Sequence, residues 1–198
     1  GTHFPARPVV GPMGFHTFDA SKAERLDDAA SRYRYVSAEE LLWAVGVDGS
    51  DTLADLGSGT GFYTDDVAAH AGTVYGVDVQ AEMHEFYREK GTPEKVELVA
   101  AEVADLPFAD GELDGAFSTM TFHEFATEDA IGEIARVVET GGRVAVADWS
   151  ATGDGEAGPP ASERFSLEEA KQQFRAGGFE IEFGADRSET FLLVVRAP

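Results

Sequence analysis

The sequence has no cysteine, which excludes disulfides and thiolate metal sites. Lysine is scarce as well: Lys22, Lys90, Lys95 and Lys171 are four of 15 basic residues. No run approaches the roughly 20 apolar residues that a membrane-spanning helix requires. No pattern of basic, apolar and small residues typical of a secretory signal opens the sequence, so a cytoplasmic location is expected. Positive charge is outnumbered, with 37 Asp and Glu against 15 Lys and Arg and a formal net charge of −22. Binding to nucleic acid phosphates demands clustered Lys and Arg, so no nucleic acid partner is expected. The five histidines, His3, His16, His70, His84 and His123, show no metal-ligand spacing, and no metal is expected.

The acids are dispersed, as in Asp27-Asp28, Glu39-Glu40, Asp65-Asp66 and Glu168-Glu169. Such a surface either recruits a basic partner or is adapted to high salt, where self-repulsion is screened and solubility is gained. Dispersion of the charge and depletion of lysine favour the salt-adapted reading.

What remains is an ordinary globular composition: 43% apolar residues in 198, enough for one domain with a full core. Residues 1–18 carry three prolines and three glycines without periodicity and read as an irregular arm. The pattern predicts a helix over 19–35, capped by Asp19 or Ser21, and a second over 37–45. The latter has Ser37 and Glu40 at capping-box spacing. Apolar strands at 52–56, 73–77, 96–100, 113–118 and 143–149 alternate with helices at 63–71, 81–90 and 128–138. A turn at Glu139-Thr140-Gly141-Gly142 precedes the fifth strand. A Gly- and Pro-rich loop at 151–161 follows it. Ser166 caps a helix over 167–176, and strands at 180–183 and 191–195 follow. This order predicts a three-layer α-β-α fold with a seven-stranded, mostly parallel, Rossmann-like sheet and an antiparallel C-terminal hairpin. Residues 1–36 are expected to form an N-terminal arm and helical cap, and 37–198 the domain proper.

The chemistry concentrates at Asp55-Leu56-Gly57-Ser58-Gly59-Thr60-Gly61, between a predicted strand and a predicted helix. Glycines there permit a tight turn and close ligand approach. Free amides at the helix start suit a carboxylate or another polar group. Asp78 ends the next strand, where an acid accepts both ribose hydroxyls of a nucleoside. A dinucleotide-dependent oxidoreductase uses similar logic, but its fingerprint is G-x-G-x-x-G, whereas the spacing here is G-x-G-x-G.

This segment resembles the first motif of class I S-adenosylmethionine-dependent methyltransferases. Four further motifs follow in order. Val77-Asp78 resembles the ribose-binding acid, and Glu102–Phe108 the D-A-x-x-L-P-F segment. Leu113–Thr119 resembles the fourth strand, and Arg136–Arg143 the R-V-L-K-P-G-G-x turn. The likeness spans about 37–198. Within the superfamily it is greatest to the small-molecule branch related to ubiquinone and menaquinone C-methyltransferases. Glu102 departs from the usual Asp, Thr140 from the usual Pro, and small residues stand in Leu113-Asp114-Gly115-Ala116.

The resemblance implies S-adenosyl-L-methionine as cofactor and a small-molecule methyl acceptor. It places Leu56, Gly57, Ser58, Gly59 and Gly61 around the methionine part, with Asp55 near its ammonium. Asp78 is expected at the ribose, Val79 and Met83 against the adenine, Glu102 and Val103 at its polar edge, and Ser118 facing the methionine part. The acceptor is expected near Tyr33, Tyr35, Thr119, Asp148 and Trp149, with His123 as candidate general base. Aromatics of the first 35 residues, Phe15, His16, Phe18, Tyr33 and Tyr35, are expected in a lid. Alignment of a sulfonium with its acceptor often suffices for transfer, so a base is not obligatory. A cofactor-binding regulator without transferase activity is the alternative. The sequence fixes neither the acceptor atom nor the oligomeric state.

Overall fold

The computed structural model describes residues 20–198. The arm up to Asp19, including Phe15, His16 and Phe18, lies outside them. The expected helix over 19–35 is two pieces, a 3-10 helix Ala20–Asp27 and α1 Ala29–Tyr35. Asp28 separates them in an extended conformation, with its carboxylate accepting from Ser31 Oγ at 2.7 Å. The local side-chain bond competes with continued helix, which explains the break.

Helix α2, Ala38–Val45, starts at the expected capping box: Ser37 Oγ accepts from Glu40 N at 3.1 Å, and Ser37 N donates to Glu40 Oε2 at 2.9 Å. Then follow β1 Thr52–Leu56, α3 Phe62–Ala68, β2 Thr73–Asp78, α4 Ala81–Lys90, β3 Val96–Ala100 and β4 Leu113–Thr119. A short helix, α5 Phe122–Phe125, was not expected. Helix α6, Glu128–Val137, buries Ala130, Ile131, Ile134 and Val137 on one face and is capped by Thr127. Strand β5 runs Val138–Trp149, α7 Leu167–Ala176, β6 Glu180–Asp186 and β7 Thr190–Arg196.

The expected turn at 139–142 is absorbed into β5. Leu113 of β4 faces Val138 and Gly115 faces Arg143, so residues 139–142 bulge out between two paired positions. The C-terminal end of β7 supports the bulge: Gly141 N donates to the Ala197 carbonyl at 2.9 Å.

The sheet order is β3-β2-β1-β4-β5-β7-β6, with β1 to β5 parallel and β7 antiparallel to both neighbours. Strand β7 is buried from Thr190 to Val195, which explains its unbroken apolar run; β6 lies at the edge and carries Glu180, Glu182 and Asp186. One apolar cluster packs α6 and α7 on one face of the sheet, and another packs α2 and α3 on the opposite face. Strand order reverses between β1 and β4, and an open parallel sheet binds ligands beyond the carboxyl ends of its strands at that point. Among the described residues no helix is long and apolar enough to cross a membrane.

Candidate active site

The carboxyl end of β1 delivers the glycine loop. Gly57 and Gly61 both have left-handed backbones, φ +84° and +85°. A Cβ at Gly57 would collide with the Thr121 side chain, and one at Gly61 with the Tyr87 ring. These glycines therefore let the segment after β4 and the helix α4 close onto the loop. The loop amides differ from expectation. Gly57 N and Ser58 N donate to the Val77 carbonyl at 2.8 and 2.9 Å, Gly59 N to Asp78 Oδ2 at 2.9 Å, and Gly61 N to Ser58 O at 3.0 Å. They are spent inside the protein, and the Leu56 carbonyl takes the Thr121 hydroxyl at 3.1 Å.

Asp55 is the principal side chain of this segment. It is 1% exposed, its Oδ2 accepts from Thr64 Oγ1 at 2.7 Å, and its Oδ1 has no hydrogen-bond partner. Burial pushes its carboxyl up to about 7; the Thr64 bond and the Arg32 charge oppose the rise, and Asp78 adds to it. Arg32, on α1, is the nearby cation. Its guanidinium carbon lies 4.8 Å from the Tyr63 ring centre and 5.6 Å from that of Phe62. Its Nε is buried without a hydrogen-bond partner, and burial draws its pKa down.

Asp78 binds the Gly59 amide through one oxygen and the Gln80 amide (2.8 Å) through the other. Burial raises its pKa despite these bonds. Each oxygen retains a lone pair for a hydroxyl donor. Val79 beside it is 55% exposed, an apolar side chain held open at the sheet edge. Met83 is buried with His84 and Tyr87 on α4, and Val103 sits in the main core; Glu102 is exposed. Ser118 is buried with its hydroxyl 2.9 Å from that of Thr121. The Ser58 hydroxyl is buried and has no partner.

His123 and Asp148, singled out separately in the sequence, meet. Asp148 is fully buried at the end of β5. It accepts from His123 Nδ1 at 3.0 Å, from His123 N at 2.8 Å and from Trp149 N at 2.8 Å. Burial lowers the affinity of the ring for a proton, but the Asp148 charge and bond outweigh it, with Glu124 and Glu163 adding; the net shift is upward.

A cavity of about 640 Å³ opens beside the loop. Tyr35, Met120, Trp149 and Leu26 supply apolar wall, and Ser31 and Arg32 polar wall. Tyr35 meets Trp149 edge-on at 4.8 Å. Leu26 also lies 3.6 Å from the point a Gly59 Cβ would occupy, so the cavity and the glycine loop adjoin. Met120 holds φ 60°, a strained backbone for a residue with a side chain, of the kind that gathers at functional sites. Thr119, His123 and Asp148 are not on the cavity wall. Tyr33 turns away, donating to Asp66 at 2.7 Å and packing on Phe62 at 5.0 Å.

The loop at 151–161 is pinned. The Arg164 guanidinium, buried, donates to the carbonyls of Pro159 (2.8 Å), Ser150 (3.3 Å) and Ala157, and lies 3.7 Å from Glu189. Glu189 in turn accepts from Gly155 N and Glu156 N. The sequence pattern did not single out Met120, Arg164 or Glu189, since a single Met, Arg or Glu has no spacing signature. Among the described residues no group of three or more His, Asp or Glu is placed to hold a metal ion.

Residues 54–146 match a family described as methyltransferase domain. The biotin biosynthesis bifunctional protein BioHC of Cellvibrio japonicus is 32% identical over 122 residues, 61% of this chain and 24% of that protein. A demethylmenaquinone methyltransferase of Corynebacterium kroppenstedtii is 35% identical over 101 residues, 50% of this chain and 42% of that one. The chain thus spans less than half the length of these curated relatives. The crystal structure of a SAM-dependent methyltransferase from Aquifex aeolicus has a TM-score of 0.84 and 28% identity, covering 92% of this chain and 100% of that one. In fold, glycine loop and matches the chain is similar to class I S-adenosylmethionine-dependent methyltransferases, whose cofactor is S-adenosyl-L-methionine. The residues present fit that cofactor: Asp55 Oδ1, unpartnered within the protein, suits an ammonium, and Asp78 and Val79 suit a nucleoside.

Proposed function

We propose that the chain moves the methyl group of S-adenosylmethionine to a small-molecule acceptor held in the cavity between α1, Met120 and Trp149. The supporting observation is the junction of that cavity with the glycine loop: Leu26 lines the cavity and approaches Gly59, and Arg32 lines it and acts electrostatically on Asp55. The bound cofactor supplies an electrophilic methyl on a sulfonium, whose sulfur leaves as a neutral thioether. The chain's own residues orient and desolvate. Asp78 holds the ribose, Val79 flanks the adenine, and Glu102 meets its polar edge. Tyr35 and Trp149, meeting edge-on, give the acceptor an aromatic corner, and the 640 Å³ volume suits a drug-sized molecule. The described part of the expected cap, residues 20–36, lends Leu26, Ser31, Arg32 and Tyr35 to the cavity wall and excludes water there, and His123, off that wall, ties α5 to the end of β5 through Asp148. A cytoplasmic setting and the absence of a nucleic acid partner belong to the same proposal.

The test is transfer of labelled methyl from S-adenosylmethionine into a cell extract separated into small-molecule, protein and nucleic acid fractions. Label in the small-molecule fraction, with release of S-adenosylhomocysteine, is expected. Binding of S-adenosylhomocysteine without any transfer would favour the regulatory alternative, and label in macromolecules would refute a small acceptor.

A further inference from the structure

We infer that the acceptor enters the cavity beside the glycine loop as an amphipathic carboxylate, with its charged end on Arg32 and its apolar body against Tyr35, Met120 and Trp149. The inference rests on the reading of that cavity as the acceptor site of an S-adenosylmethionine-dependent methyltransferase.

Four charged residues line the cavity: Glu24, Arg25, Asp28 and Arg32. The first three are exposed, and the Asp28 carboxylate is already engaged by the Ser31 hydroxyl at 2.7 Å. Charges in water are hydrated and screened, so they select weakly. Arg32 differs. Among the described residues, its Nε is the one buried polar side-chain atom of the cavity wall that has no hydrogen-bond partner. A desolvated cation without an acceptor is costly, and an anion in the cavity relieves that cost. The guanidinium is also presented in the right way. Its carbon lies 4.8 Å from the Tyr63 ring centre and 5.6 Å from that of Phe62. Rings against the face of the planar group leave its N–H edge, which is the part that meets a carboxylate. Tyr63 Oη lies 2.7 Å from the Val36 carbonyl and 2.9 Å from that of Arg32, pinning the end of α1. Asp55 acts on Arg32 electrostatically but does not line the cavity.

Around Arg32 the wall is apolar. Tyr35 meets Trp149 edge-on at 4.8 Å, and Met120 and Leu26 extend the surface. Trp149 is itself held: the Arg164 guanidinium lies 5.5 Å from its ring, and a Cβ at Gly158 would fall 2.5 Å from the indole. One desolvated positive charge in a fixed apolar wall fits a molecule with one carboxylate on an apolar body. It fits an amine or a neutral alcohol poorly, because each leaves the guanidinium without its counter-charge. Arg32 is thus the residue that sets acceptor specificity by charge, and Tyr35 and Trp149 set it by shape.

The test uses the chain saturated with S-adenosylhomocysteine, so that the cofactor site is filled, and three probes that share one apolar body: octanoate, octanol and octylamine. Calorimetry should show octanoate bound about tenfold or more tightly than the other two. Arg32→Gln should erase that preference by weakening octanoate alone, and Arg32→Lys, which keeps the charge, should restore part of it. Trp149→Leu should weaken all three probes and keep their order. Equal affinities for the three probes overturn the inference, as does tighter binding of octylamine, which would assign selection to Glu24 and Asp28. An equal loss for all three in Arg32→Gln overturns it by showing that Arg32 is only structural. Octanoate that binds the cofactor-free chain but not the loaded one also overturns it, since Arg32 would then serve the cofactor. Binding of S-adenosylhomocysteine with no binding of any probe overturns the inference and leaves the cofactor reading intact. Failure of the natural chain to bind S-adenosylhomocysteine overturns the cofactor reading and the inference together.

Discussion

Burial pushes the Asp55 carboxyl up to about 7 because an ionised oxygen without a partner is unfavourable away from water. Between its ordinary value of 3.8 and about 7 the folded chain holds a proton that the unfolded chain has lost, so this group's contribution to stability is lost as pH rises through that window. A cationic ligand group reverses the preference, since it favours the ionised carboxylate. Binding of S-adenosylhomocysteine should therefore release up to one proton near pH 6 and none near pH 8.5, with affinity rising and then levelling. Calorimetry in buffers of different ionisation enthalpy reads this directly; proton uptake would show that Asp55 does not face the ammonium. Asp78 carries a separable expectation. Asp78→Ala removes the proposed ribose acceptor and leaves the Gly59 and Gln80 amides without theirs. Cofactor affinity should fall by about 2–3 kcal/mol, and melting temperature should fall as well. An unchanged dissociation constant would place the ribose elsewhere.

At the scale of elements, the connection from β5 to α7 is built around a buried ion pair rather than around its own sequence. Arg164 donates to three carbonyls of that segment and faces Glu189, which caps two of its amides. Removing one partner of such a pair leaves the other buried and uncompensated. Arg164→Met should thus cost about 3–5 kcal/mol of stability, read from urea unfolding, and should loosen the wall at Trp149, over which Arg164 lies at 5.5 Å. A loss below 1 kcal/mol would mean that the loop holds itself. Strand β1, helix α4 and the Ser37 and Ser166 caps were legible, because periodicity and capping act over a few neighbouring residues. The order of elements gave the sheet. Helix α5, the bulge at 139–142 and the pinned loop were not legible. Each depends on a distant partner: Asp148 for His123 of α5, Ala197 for the bulge, Glu189 for the loop. In the site, the glycine loop and Asp78 announced themselves by spacing. The unpartnered atoms of Arg32 and Asp55 follow from burial in three dimensions, which no local pattern records.

At the scale of the whole molecule, the −22 net charge decides how salt acts. Many basic side chains of the described chain are paired, as Arg136 with Glu133 and Asp110, Arg143 and Arg196 with Glu182, Arg187 with Glu40, and Lys171 with Glu168. Salt weakens such exposed pairs, but each is worth only about 0–1 kcal/mol. The opposing effect is larger. A sphere of about 20 Å radius bearing this net charge has a self-repulsion of roughly 17 kcal/mol at 0.1 M salt and roughly 7 kcal/mol at 1 M. The expanded chain carries less at either concentration, so screening favours the folded state. Melting temperature should rise as potassium chloride is raised from 0.1 to about 2 M, and neutral osmolytes that stabilise without screening should not reproduce the low-concentration part of the rise. A flat or falling curve would remove salt adaptation as the reason for the acidic surface and favour a basic partner, whose binding should then weaken over the same range of salt.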